Sequence, residues 1–168
     1  VKEVLEESKK YRIPEDLKQL KDVLGRQGIE YIDKIDNVQE GKTKVFLAEV
    51  CALGKGQFGI YAEQSIKAGI YLGNYLGERI SSADAEKRKS SAYFFDVSKN
   101  VVIDADRSRN WAAYVIYGIN GVANIDASVS HDKVKQVEFR TFQEVQADHQ
   151  LLLDYGRNYF VNLDYPPI

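Results

Sequence analysis

Cysteine is nearly absent from this chain of 168 residues: Cys51 stands alone, which rules out an internal disulfide and a cysteine-cluster zinc site. Histidine is almost as scarce. His131 and His149 fall in separate polar stretches without metal-ligand spacing, so they read as solvated surface imidazoles and no metal is expected. No apolar run approaches the length of a membrane span, and the opening Val1-Lys-Glu-Val-Leu-Glu-Glu7 lacks the apolar centre of a signal peptide. An excess of positive charge is missing too. A net charge of −2 argues against the clustered cations that broad nucleic-acid binding needs, while leaving room for a basic partner. Methionine does not occur, and a chain that begins with Val1 reads as a piece of something longer, with targeting information cut away.

What is present suffices for one core domain and a small flank, since 44% of the residues are hydrophobic. From Val1 to about Gly28 the pattern is helical. Val4, Leu5 and Ser8 begin it, and Pro14-Glu15-Asp16 places proline and acids where a second helix would start. Leu17, Leu20, Val23 and Leu24 then recur at helical spacing, and Gly28 ends the run. Residues 1–44 therefore read as a helical flank, which buttresses the body or binds a partner. Residues 45–168 form a β-rich body that begins at Val45-Phe-Leu-Ala-Glu-Val50. Ser81 to Ser91 reads as a short exposed helix, and Tyr93–Val97 with Val101–Asp104 as a hairpin closed by Ser98-Lys-Asn100.

Gly54-Lys-Gly-Gln-Phe-Gly59 matches the dinucleotide fingerprint G-x-G-x-x-G, and Glu78 falls near the place of a ribose-binding acid. Such a loop must open a helix whose N–H groups face the pyrophosphate. Ile60 to Glu78 is instead rich in glycine and β-forming aromatics and reads as strand, turn, strand. A nicotinamide-dependent oxidoreductase is disfavoured on that ground.

The same glycines belong to a longer series: Gly54 to Ala62, Ile66-Lys-Ala-Gly69, Tyr75-Leu-Gly-Glu78, Ile103-Asp-Ala105, Asn110-Trp-Ala-Ala-Tyr-Val115 and Leu151-Leu-Leu-Asp-Tyr-Gly156. In that order, ending in L-x-x-D-Y-G after a G-N-x-A-R-F-like stretch, they resemble the SET-domain lysine methyltransferases from about Phe46 to Phe160. The resemblance implies an α+β, β-rich fold of several short sheets with a threaded C-terminal segment. It also implies methyl transfer from S-adenosylmethionine (SAM) to a lysine side chain of a protein or peptide, with the basic histone tail as a candidate. The cysteine-rich zinc segments of many relatives are missing here. Action inside a cell follows, as a nuclear chromatin enzyme or as a bacterial protein delivered into a host.

By resemblance Tyr155 is the catalytic tyrosine, and Tyr75 joins it at the cofactor and lysine channel or is an ordinary inward-facing strand residue. Lys55, Gly56, Gln57 and Phe58 would wrap the cofactor by their backbone, with Tyr159 or Phe160 stacking on adenine. Lysine is protonated at neutral pH, so an aromatic channel that strips water from the amine is needed; Tyr93 and Phe95 are candidates for its wall, with Tyr117 a further one. Leu153, two residues before Tyr155, leaves aliphatic space and implies that methylation does not stop at one group. Glu78, Asp96 and Asp126 would suit a basic tail if they line the groove, or are solvated surface.

One motif departs from the family. Counting from Asn110, Ile116, Tyr117 and Gly118 fall where R-F-I-N-H-S has Asn, His and Ser. A short insertion instead sets Asn120 opposite the Asn, with Ala123-Asn124 resembling the P-N that follows. Under the first alignment Tyr117 takes the cofactor-facing place; under the second Asn120 restores the amide. Loss of that polar pair opens the alternative of a non-catalytic SET module that binds a peptide without cofactor.

Overall fold

Val45–Val50 and Phe58–Ala62 are rich in β-branched and aromatic residues, and they pair antiparallel from Val45 opposite Ala62 to Glu49 opposite Phe58. The computed structural model describes residues 11–12, 24–31, 45–50, 58–118 and 122–154. Within them run β1 (Tyr11–Arg12), β2 (Glu30–Tyr31), β3 (Val45–Val50), β4 (Phe58–Ala62), β5 (Tyr71–Asn74), β6 (Glu78–Ser81), helix α1 (Ser82–Glu86), β7 (Phe94–Asp96), β8 (Val101–Asp104), β9 (Ser108–Arg109), a 3-10 turn (Trp111–Tyr114), β10 (Ile116–Tyr117), β11 (Ile125–Val129), β12 (Val137–Thr141) and β13 (Leu152–Asp154). The architecture is the expected α+β class, rich in short strands. Its sheets are ordered β1-β3-β4, β10-β13-β11-β12-β5, β2-β9 and β6-β8-β7.

β4 follows directly where a dinucleotide loop would need a helix. The hairpin forms as expected: Val97 N–H donates to the Val101 carbonyl at 2.9 Å, and β7 pairs antiparallel with β8 from Phe94 opposite Asp104. α1 buries nothing and is capped by the Ser81 hydroxyl, which accepts from Asp84 N–H at 3.0 Å. At the flank, residues 24–26 are helical and Gly28 (φ +79°) closes the turn, the left-handed conformation that glycine adopts most easily. Tyr11 and Arg12 differ from the helical expectation. They are extended and pair with Val50 and Glu49, because a strand edge with open N–H and C=O groups recruits a partner more effectively than weak helical periodicity holds two residues. The helices expected around Val4 and from Pro14 to Val23 lie outside the described residues.

Among the described residues a large apolar core joins the main sheets. Ile60, Leu72, Tyr75, Phe95, Ile103, Ile125, Val137, Phe139, Leu151 and Leu153 meet in it. A smaller cluster of Ala48 and Tyr61 lies apart, with Phe46 and Ile116 packed against it.

The last described strand supplies the fold's non-local feature. β13 lies between β10 and β11, parallel to both, with Ile116 opposite Leu152 and Ile125 opposite Leu153. β10 and β11 are consecutive in the chain, yet β13 stands between them. That is the threaded arrangement the resemblance implied.

Candidate functional site

Two asparagines hold the motif strands in place. Asn110 is 1% exposed; its Nδ2 donates to the Asn74 carbonyl at 2.8 Å and its Oδ1 accepts from Leu76 N–H at 3.3 Å, tying it to the Tyr75-Leu-Gly-Glu78 segment. Asn124 does the same for the D-Y-G strand. Its Nδ2 donates to the Gln150 carbonyl at 2.9 Å and its Oδ1 accepts from Leu152 N–H at 2.8 Å. Each side-chain amide thus replaces a missing neighbour strand. Gly77 is required for a different reason: a Cβ there would lie 2.6 Å from the Asp104 carbonyl oxygen, so the Y-x-G-E and I-D-A segments touch backbone to backbone.

Around this frame three pieces converge. Phe58 leads out of the glycine loop, and its ring meets Tyr114 edge-on with 6.3 Å between centroids. Tyr114 ends the 3-10 turn and Ile116–Tyr117 follow as β10, beside β13. Gly118 N–H then donates to the Leu153 carbonyl at 3.0 Å. A Cβ on Gly118 would stand 2.8 Å from Ala123 Cα, so the outgoing and returning legs of the connection close on each other there. β13 ends at Asp154, which Tyr155 follows in the sequence.

The sequence candidates are distributed unevenly over this place. Lys55, Gly56, Gln57, Asn120, Tyr155, Tyr159 and Phe160 lie outside the described residues. Tyr117 is 51% exposed on β10. Ile116, the residue at the Asn place by spacing, packs against the Ala48–Tyr61 cluster. Tyr75 is buried, its ring 4.9 Å from Phe95 and 6.1 Å from Phe139, and its hydroxyl donates to the Tyr93 carbonyl at 2.7 Å. Phe95 and Leu153 are also core residues, 4% and 3% exposed. Tyr93 is half-buried, with the Arg109 guanidinium 4.1 Å above its ring.

The acids do not share one groove-facing environment. Glu78 is ion-paired with Arg88 through two contacts of 3.2 Å, and hydrogen bonding to Arg88, with that cation's charge, holds its carboxyl below the ordinary value against a smaller effect of burial. Asp96 is half-buried, and burial raises its carboxyl. Asp126 is 7% exposed on β11, in register with Asp154 and Arg140. Burial also raises the Tyr114 phenol, the positive charge of Arg109 opposing it. Among the described residues no group of three His, Cys, Asp or Glu side chains could hold a metal ion.

Sequence reasoning missed Asn110 and Asn124 as clamps, although both stood inside quoted motifs. It also missed Arg109 and Gln150. Gln150 is 5% exposed, and among the described residues its Nε2 has no hydrogen-bond partner.

A family model, the SET domain, matches residues 57–156, and the chain belongs to the SET-domain family. Curated relatives include a histone-lysine N-methyltransferase, H3 lysine-4 specific, of Aspergillus oryzae, 27% identical over an alignment of 108 residues that covers 58% of this chain and 8% of that protein. Another is the histone-lysine N-methyltransferase EHMT1 of Mus musculus, 26% identical over an alignment of 110 residues that covers 61% of this chain and 8% of that protein. The chain thus spans less than a tenth of the length of these relatives. Among solved structures, ctPRC2 in an autoinhibited conformation bound to S-adenosylmethionine matches with a TM-score of 0.60 at 20% identity, over 70% of this chain and 16% of that one. A humanized mutant of the Chaetomium thermophilum Polycomb Repressive Complex 2 bound to the inhibitor GSK126 gives 0.58 at 20% identity, over 69% and 15%.

Proposed function

We propose that this chain is a protein-lysine N-methyltransferase that moves a methyl group from SAM to a lysine side chain, with histone H3 the first substrate to test. The observation that carries the reading is the insertion of β13 between β10 and β11, which joins the D-Y-G strand to the segment at the N-H place. The curated relatives are named for this chemistry on histones, one of them on H3 lysine 4. For such a substrate the site of action is the nucleus.

The residues present fit the cofactor in their chemistry. Phe58, Tyr114 and the exposed Tyr117 offer aromatic faces, which suit a flat adenine and attract a sulfonium cation. Phe58 and Tyr117 would hold SAM together with the backbone of Lys55 to Gln57, Asn120, and Tyr159 or Phe160. When bound, SAM supplies a methyl carbon made electrophilic by its positively charged sulfur. Everything else falls to the chain: it must strip water from the lysine amine, release its proton to solvent, and align the nitrogen lone pair with that carbon. Positioning of this kind dominates the rate. Tyr155 takes the positioning role at the amine, and Tyr75, by holding the Tyr93 carbonyl, sets the wall beside it.

One observation favours a second reading. Ile116 spends its side chain on the Ala48–Tyr61 cluster, where a polar residue would serve the cofactor, and this suits a SET module that binds peptide without SAM. Calorimetric titration with SAM separates the two. The enzyme reading expects binding, and a Tyr155→Phe variant that still binds SAM while losing about 10²–10⁴ in methyl transfer to H3. No binding at millimolar SAM, with H3 peptide affinity retained, establishes the module instead.

A further inference from the structure

Arg109 is 4% exposed and has no carboxylate partner among the described residues. Burying an unpaired charge is costly, so buried cations are normally neutralised by an acid. Here the compensation is of another kind. Nε donates to the Ala105 carbonyl at 2.9 Å and Nη2 to the Asp106 carbonyl at 2.6 Å. The guanidinium carbon stands 4.1 Å from the centroid of the Tyr93 ring and 5.6 Å from that of Tyr114. These carbonyls and aromatic faces stabilise the cation without cancelling its charge. The sequence makes the position stand out: Arg109 occupies the glycine place of the G-N-x-A-R-F-like stretch, and Ala113 its arginine place.

Two links extend from this stack. Tyr93 accepts the Tyr75 hydroxyl through its carbonyl, and Tyr114 meets Phe58 at the end of the glycine loop. A continuous series of contacts therefore runs from the candidate channel wall to the candidate cofactor loop, with Arg109 at its centre. An un-neutralised charge behind an aromatic wall also acts on any cation placed before it. Like charge disfavours the protonated form of an amine, and a lysine is nucleophilic only when uncharged.

We propose that Arg109 is a positioning residue for the methyl transfer, fixing Tyr93 and Tyr114 in place and biasing the substrate lysine toward its neutral form. The inference rests on the lysine methyltransferase reading above. Among the described residues, the other ionisable groups around Arg109 leave its charge standing. Tyr93 and Tyr114 are phenols. Asp104, at the end of β8, is engaged by Arg88 at 3.4 Å and by Asp106 N–H at 3.0 Å. Asp106, Arg107 and, on the paired strand β2, Glu30 are exposed.

The test measures kcat against pH, which reports ionisations in the bound complex, for the full chain with saturating SAM and histone H3 tail peptide, for wild type, Arg109→Gln and Arg109→Lys, with thermal unfolding and SAM calorimetry alongside. A lowered lysine pKa lets the wild type act at lower pH. Removing the charge should move the acid limb up by about one pH unit, which is a loss of about tenfold below the limb, while SAM, whose sulfonium feels the same charge, binds no more weakly. Arg109→Lys keeps the charge and should leave the limb at the wild-type position, even where Arg109→Gln does not fold. A limb unmoved in a folded Arg109→Gln, or displaced in Arg109→Lys, overturns the inference and leaves the proposed function intact. A wild-type chain that methylates neither this peptide nor any lysine on a peptide array overturns the proposed function, and the inference falls with it.

Discussion

The sheet of β6, β8 and β7 and the sheet of β10, β13, β11, β12 and β5 are both made of short strands, yet they are assembled by opposite routes. The first is local. β7 turns straight into β8, β6 lies antiparallel on the other side, and Ser81 caps the helix that leaves it. Its ion pairs, Arg88 with Glu78 and Asp104, join residues of the same stretch. The second sheet depends on the end of the chain. β13 must enter between β10 and β11, two strands that otherwise have no common partner, and both of its neighbours are parallel to it. Entropy of closure has to be met before such pairing contributes anything, and the insertion of β13 rests on two register pairs with each neighbour, against four and three in the first sheet.

The comparison is broken most severely at Asn124. Asn124→Ala removes the acceptor for Leu152 N–H and the donor to the Gln150 carbonyl, and should cost about 2–4 kcal/mol, because buried backbone groups are left unsatisfied. Urea unfolding measures it, and SAM affinity should fall with stability because β10 and β13 lose their register. A loss under about 1 kcal/mol would mean that the strand insertion does not depend on this clamp.

A smaller effect is expected in the local sheet. Ser81→Ala removes the cap of α1, a helix with no buried residues, and should cost about 0.5–1 kcal/mol. Hydrogen exchange should quicken over Ser82–Glu86 and leave β11–β13 protected. Faster exchange in both sheets would erase the distinction between them.

The smallest effect is a pH dependence. The Glu78 carboxyl is held below 4.5 chiefly by its hydrogen bond to Arg88. A folded value below the unfolded one gives stability that is complete above the unfolded value and lost as pH falls through the folded one. Glu78→Gln should therefore unfold at a midpoint nearer to the wild type in acid below pH about 4 than at pH 7. An unchanged difference across that range would show that the pair contributes nothing through charge, as is common for exposed ion pairs.

Legibility in the sequence follows the same division. The β7–β8 hairpin, the short helix after Ser81 and the strand where a dinucleotide helix was required all came from neighbouring residues, since turn chemistry and strand propensity act over a few positions. The threading came from motif resemblance alone, because no local pattern in Leu152–Asp154 says which strands will flank it. Among the candidates, Tyr75 was seen in its motif and Phe95 as an aromatic of the hairpin, but periodicity could not tell a channel wall from a core, and the Tyr75 hydroxyl is engaged by the Tyr93 carbonyl. Arg109 stands in a glycine's place of the motif, a signal that the sequence reading passed over. Its meaning needed Tyr93 and Tyr114, which reach it only through the fold.

The central claim is methyl transfer, and it is tested most directly by mass spectrometry of histone H3 after incubation with SAM and either the wild-type chain or Tyr155→Phe. The account predicts lysines carrying more than one methyl group with the wild type, as the aliphatic Leu153 implies, and almost none with the variant. Unmodified H3 in both reactions, with SAM left unbound, would contradict it.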